Sequence, residues 1–191
     1  MKKDYRSDSF MKFVALGEST TAGGWSTRRE RCWVSRLGDL INDFQEAPAE
    51  VVNMGIGANV ISTRSPCYEG SGKPAANERL DKQVIEERPD LLVISYGLND
   101  ARGGTPLDLF LEEMTQLVKR VRDAIDPVIV LPGPYFMTDF NLGHESGFGL
   151  GDLGVFKEYN KGIGRLAGEL NCLYVDLLNA YQETEWMIHY D

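Results

Sequence analysis

Short continuous apolar runs alternate along this chain with stretches in which apolar residues recur every three to four positions. Residues 13–16 (FVAL) form the first run, closed by Gly17, and from Trp33 the helical period gathers Val34, Leu37, Leu40, Ile41 and Phe44 on one face. The pattern then repeats. Residues 51–54 form a second run, broken by Gly55 and Gly57, and a weaker helix with Leu80, Val84 and Ile85 inward comes after Pro74. The run LLVIS at 91–95 is the kind expected of a central strand covered on both faces.

The clearest helix comes next. Thr105 is placed as its N-cap, Pro106 at its first position and Asp108 as the partner in a capping box, with Phe110, Met114, Leu117, Val121 and Ile125 facing inward. Residues 128–131 predict a fourth strand. Phe156, Tyr159, Ile163, Leu166 and Leu170 mark another amphipathic helix before a fifth strand at 173–175. Gly162, Gly164 and Gly168 weaken that helix by roughly 1 kcal/mol each relative to Ala, which close packing on the sheet would explain.

Successive β/α units with right-handed crossovers imply an α/β fold: a flavodoxin-like three-layer α/β/α sandwich around a central five-stranded parallel sheet. A chain of 191 residues supports one such domain, expected over 11–191, behind a polar tail at 1–10. Function in such a fold sits at the carboxyl ends of the strands.

Composition narrows the chemistry. Twenty Lys and Arg against 29 Asp and Glu give a net charge of −9, a field that repels phosphate backbones and anionic lipid, so nucleic acid and membrane insertion are poor partner assignments. The opening MKKDYRSDSF lacks the apolar core of a signal peptide, and the chain reads as soluble and cytoplasmic. Cys32, Cys67 and Cys172 are an odd number at wide spacing, which suits neither a disulfide framework nor a CxxC metal site. They are taken as reduced, with Cys67 in its polar loop either a reactive thiol or an ordinary loop cysteine, and no metal is suggested.

Three turns stand directly behind predicted strands. The first, GESTTAG at 17–23, either places Ser19 where a strand-to-helix turn presents a hydroxyl together with a free N–H or is ordinary glycine-serine turn chemistry. A serine nucleophile needs both, because a base must take its proton while a donor stabilises the oxyanion. The second is NMGIGAN at 53–59, either glycine-rich enough for backbone to approach a ligand or simply a tight β/α connection. The third is GLND at 97–100, where Asn99 either donates an amide hydrogen into the same crevice or forms an Asx turn that caps the next segment.

In this order, each behind its own strand, the three segments resemble the first motif blocks of the SGNH (GDSL-type) hydrolase family. GESTTAG matches the family's GDSxTxG except that Glu18 replaces the usual Asp. The N-x-G-x-x-G block begins at Asn53 and puts Ala58 in place of the last glycine, a substitution that keeps the N–H but tolerates positive φ poorly. GxND is matched in full. The resemblance implies Ser19 as nucleophile, N–H groups of Ser19 and Ala58 with the Asn99 amide as oxyanion hole, a small-molecule ester substrate and no cofactor.

The family's last block, DxxH, carries the general base and the aspartate that orients it. Tyr190-Asp191 resembles the start of that block, which makes Asp191 the triad aspartate and places the histidine three residues beyond the last residue of a chain shortened at its C-terminus. The competing assignment makes His189 the base. Neither His189 nor His144 has an Asp three residues earlier, since Trp186 and Asn141 occupy those positions.

The expected activity is therefore a serine esterase acting on a small-acyl or carbohydrate ester through an acyl-enzyme. One alternative is a binding protein of the same fold, impaired by Glu18, Ala58 and the lack of DxxH. Another is a flavodoxin-like phosphate loop at GESTTAGG, which lacks the Walker lysine. The long loop at 133–151, with Tyr135, Phe136, Phe140 and Phe148, reads either as a substrate lid or as an aromatic cluster packed on the body. Trp25, Arg28 and Arg29 lie where they would shape the leaving-group side or simply begin a solvated helix.

Overall fold

The computed structural model describes residues 9–24, 26–135 and 147–183. Strand β1 (Lys12–Gly17) sends alternate side chains to opposite faces, and both are buried: Val14 and Leu16 join one apolar cluster, Phe13 and Ala15 another. Strand β3 (Leu91–Ser95) does the same, with Leu92 and Ile94 on one side and Leu91 and Val93 on the other. This double burial explains the continuous apolar runs in the sequence. With β2 (Glu50–Gly55), β4 (Val128–Pro132) and β5 (Leu173–Val175) they form one parallel sheet of five strands, ordered β2-β1-β3-β4-β5, with β3 central.

Helix α2 (Trp33–Asp43) covers one face through Val34, Leu37 and Ile41. The other face carries α3 (Ala76–Leu80) with the π-helical turn Asp81–Ile85 that continues it, α5 (Leu107–Ala124) and α6 (Leu153–Glu169). The three-layer sandwich expected from the pattern is thus the observed fold. On α5, Phe110, Met114, Leu117 and Val121 are all buried, each stabilising the domain by about 1.5–3 kcal/mol relative to an exposed side chain. Three short helices, α1 (Ser19–Ala22), α4 (Leu98–Arg102) and α7 (Leu177–Glu183), lie below the length that periodicity detects. Among the described residues, no helix is long and apolar enough to cross a membrane.

Three local expectations are corrected. Thr105 does not cap α5: Pro106 occupies the N-cap without a side-chain bond, Asp108 bonds only the N–H of Leu109, and the Thr105 hydroxyl donates to Asp100 instead. A buried carboxylate has recruited the capping residue. On α2, Leu40 and Phe44 do not turn inward; they are 54% and 89% exposed, on the flank of a helix that packs over the edge strand β2. In α6, the sheet accounts for Gly164, packed on Tyr174 of β5, while Gly162 instead admits Leu107 and Leu111 of α5 and Gly168 faces open space.

Candidate active site

Strand β1 lies between β2 and β3, so the connections leaving β1 and β3 diverge and open a crevice at their carboxyl ends. The three motif turns meet there. Ser19 opens α1 two residues beyond the end of β1, and the Asn53 amide reaches across from β2 to donate to the Thr21 carbonyl at 2.7 Å. The Ile56 N–H donates to Gly17 O at 3.0 Å. Gly55 allows this approach, since a Cβ there would collide with the backbone of Ala22. From the other side, Gly97 adopts φ +120° to turn β3 into α4, which starts at Leu98.

The donors expected to face the crevice are uncommitted. Among the described residues neither the Ser19 nor the Ala58 N–H makes a backbone hydrogen bond, and the half-buried Ser19 hydroxyl has no partner. Ala58 adopts φ +51°, the left-handed conformation its missing glycine would take without strain. Asn99, 4% exposed, donates one amide hydrogen to Asn59 O at 3.0 Å. Its second amide hydrogen has no partner among the described residues, so the side chain is tethered rather than consumed as an Asx cap.

Beneath these groups lies a buried polar network that motif spacing did not reveal. Arg79, 2% exposed, donates to Met54 O, Gly17 O, the Gln83 amide oxygen, Asn59 Oδ1 and the Tyr96 hydroxyl. Tyr96 passes its own hydrogen to Asn59 Oδ1, and the Asn59 amide donates to Gly72 O and Pro74 O. One guanidinium therefore joins the ends of β1 and β2 to the residue whose carbonyl holds Asn99. Burial raises the Tyr96 phenol, against the pull of Arg79, and keeps it a neutral donor.

Two carboxylates share this interior. Asp100 accepts from the Ile61 N–H and from the hydroxyls of Ser65 and Thr105; burial pushes it up to about 7 despite those bonds. Glu18, 1% exposed, accepts from the Gly97 N–H at 2.9 Å and the Asn99 N–H at 3.1 Å. Burial, with Asp100 nearby, raises it well above the usual carboxylate range, while the N–H groups of Asn99, Gly97 and Leu98 oppose the shift.

A sequence model of the GDSL-like lipase/acylhydrolase family matches residues 15–191. The chain belongs to that family. It is an acylhydrolase, and a carboxylic-ester hydrolase in class. Solved structures agree on the fold. A catalytic mutant of an acetylxylan esterase from Geobacillus stearothermophilus superposes with a TM-score of 0.70 at 20% identity, covering 94% of this chain and 82% of that one. A lipase/acylhydrolase from Enterococcus faecalis gives 0.68 at 22%, covering 91% and 79%. A G-D-S-L family protein from Desulfitobacterium hafniense gives 0.62 at 25%, covering 87% and 77%. A comparison with curated proteins finds no match.

Not every residue that the GDSL-like family pattern or the loops single out can be placed at the site. Asp191, His189, His144, Trp25, Phe136 and Phe140 lie outside the described residues. Of the loop aromatics, Tyr135 is at the site: it stacks near Tyr181, with centroids 6.0 Å apart, and lines a small cavity with Glu18, Thr20, Ser95 and Tyr96. The phosphate-loop alternative finds no support, because α1 is a single turn and the acidic side chain of Glu18 is buried at its N-cap. Cys67 is no activated thiol either, since burial, with Asp100 adding to it, pushes it up to about 11.

Proposed function

We propose that this acylhydrolase works as a serine esterase on small-acyl esters, with Ser19 as nucleophile and an acyl-enzyme intermediate. The observation that carries the reading is the set of three uncommitted donors, the N–H groups of Ser19 and Ala58 and the free amide hydrogen of Asn99, on turns packed against one another. Ser19 Oγ attacks the ester carbonyl as a histidine base takes its proton. Negative charge developing on the carbonyl oxygen is held by the three donors, each worth about 3 kcal/mol in the transition state. The alcohol leaves with the proton returned by the base, and water repeats the sequence to free the acid.

Asp191 is the orienting carboxylate in this reading, in a domain that begins at residue 11. Carbohydrate acetates are the substrate class to try first, prompted by the acetylxylan esterase of the same fold and by Tyr135 beside the nucleophile turn. Hydrolysis of p-nitrophenyl acetate by the chain, its Ser19→Ala and its His189→Ala variants tests the assignment. Loss in Ser19→Ala with the fold kept supports the nucleophile; equal activity in that variant sinks it. Loss in His189→Ala as well makes His189 the base in place of the DxxH histidine. If folded protein binds acetylated xylooligosaccharide without turning it over, and still does so when the chain is extended to include a DxxH histidine, the second reading holds, a binding role consistent with the substitutions Glu18 and Ala58 in the motif blocks.

A further inference from the structure

Glu18 departs from the family motif, and the structure gives that departure a use. It is the residue immediately before Ser19, yet its side chain crosses to the start of α4, 79 and 81 residues along the chain, to bond Gly97 and Asn99. Oε1 accepts from the Gly97 N–H at 2.9 Å and from Asn99 at 3.3 Å; Oε2 accepts from Asn99 at 3.1 Å. No other side chain among the described residues bonds these two N–H groups. The Asn99 backbone is therefore held from the nucleophile's own turn, while its side chain is held by Asn59 O at 3.0 Å. Two tethers fix the direction of the remaining amide hydrogen.

We propose that Glu18 is a positioning residue for the oxyanion hole, whose reach, one methylene longer than aspartate, sets the Asn99 amide relative to Ser19. This rests on the serine-esterase reading above. Aspartate at 18 would draw the carboxylate back by about 1.5 Å, one carbon–carbon bond. Bonds of 2.9 and 3.1 Å would then stretch beyond hydrogen-bonding distance unless α4 moved with them. Either outcome shifts Asn99, and a donor misplaced by about 1 Å costs on the order of 10²-fold in rate. Glutamine keeps the length and an Oε1 that accepts from Gly97 at 2.9 Å and Asn99 at 3.3 Å, losing only the bond that Oε2 accepts from Asn99, so it is the milder change.

The test compares Glu18→Asp, which restores the family's GDS, with Glu18→Gln, measuring kcat and KM on p-nitrophenyl acetate with and without Asn99→Ala. Glu18→Asp should lower kcat by about 10²-fold with KM nearly unchanged, and Glu18→Gln by at most about 10-fold. In the Asn99→Ala background Glu18→Asp should add little, because both substitutions remove one function. Full activity in Glu18→Asp, the reverse ordering of the two variants, or losses that multiply fully with Asn99→Ala would each overturn the proposal. All variants are read in the chain extended past Asp191 to include a DxxH histidine, and absence of turnover in that parent would instead count against the esterase reading. Hydrogen exchange on the unmodified chain stands apart from variant folding: slow exchange at Gly97 and Asn99 supports the tether, and loop-like rates at both overturn it.

Discussion

The two halves of strands β1 and β3 are equally dry but built from opposite chemistry. Toward their beginnings and middles, Val14, Leu16, Leu92 and Ile94 meet Phe110, Met114 and Leu117 in an apolar body. Beyond their carboxyl ends, Glu18, Asn59, Arg79, Tyr96, Asn99 and Asp100 are buried to within 4% exposure and joined by hydrogen bonds. The apolar body tolerates loss piecemeal, because dispersion and burial are non-directional. The polar end is held by directional bonds in which one missing partner strands several others. The body gives stability to the domain; the polar end gives up some of it to fix where three donors stand.

The largest expected effect breaks the polar end at its most connected member. Arg79→Met keeps much of the aliphatic stem and removes the guanidinium hydrogens given to Met54 O, Gly17 O, Asn59 Oδ1 and the Tyr96 hydroxyl. Denaturant unfolding should show a loss of about 3–5 kcal/mol, with esterase activity falling even in the folded fraction. Leu117→Ala, in the apolar body, should cost about 2–5 kcal/mol and leave the folded fraction's activity near that of the parent. If Arg79→Met costs under about 1 kcal/mol, the polar end is not a network and the contrast between the two regions fails.

This contrast also marks what can be read from sequence. The five strands and helices α2, α5 and α6 are legible because burial imposes a period on neighbouring residues. Periodicity cannot say where the sheet ends, which is why it places Leu40 and Phe44 wrongly. The turns that carry Ser19, Ala58 and Asn99 are legible behind their strands, and their proposed roles come by resemblance, but the Arg79–Tyr96–Asn59 network is not legible, since its members stand 17 to 37 residues apart with no fixed spacing. One faint mark exists: an arginine on the apolar side of a weak helix, beside Leu80. Thr105 misleads for the same reason, its capping role displaced by a carboxylate that only the fold brings near.

A middle-sized effect separates the regions by pH. Asp100 is raised to about 7 in the folded protein and has an ordinary value near 3.9 unfolded, so the native state holds its proton across that interval and the unfolded state does not. Its contribution to stability is fully present below pH about 4 and is lost as pH rises through about 7. Glu18, raised as well, acts with the same sign. Relative to the parent, Asp100→Asn should therefore gain stability with rising pH between 4 and 7, at up to about 1.4 kcal/mol per unit, on top of a constant cost for imperfect bonds to Ile61 and Ser65. Unfolding midpoints measured at several pH values give the difference directly. Parallel curves for parent and variant would show that Asp100 titrates normally.

The smallest effect concerns backbone strain at the rim of the polar end. Ala58 is exposed and sits at φ +51°, where an L side chain costs about 1–2 kcal/mol and glycine nothing. Glycine at this position also loses more freedom on folding, about 0.5–1 kcal/mol. Ala58→Gly, which restores the family's glycine, should accordingly stabilise the chain by about 0.5 kcal/mol, read as a raised denaturant midpoint at unchanged slope. Its exposed methyl contributes too little packing to reverse the sign. If activity also rises, the alanine has been holding its N–H slightly off the oxyanion; if stability rises alone, the Ala58 N–H already stands where glycine would put it, and the strain is borne without cost to the reaction. A fall in stability would mean that the methyl group, not the torsion angle, decides the energy of this turn.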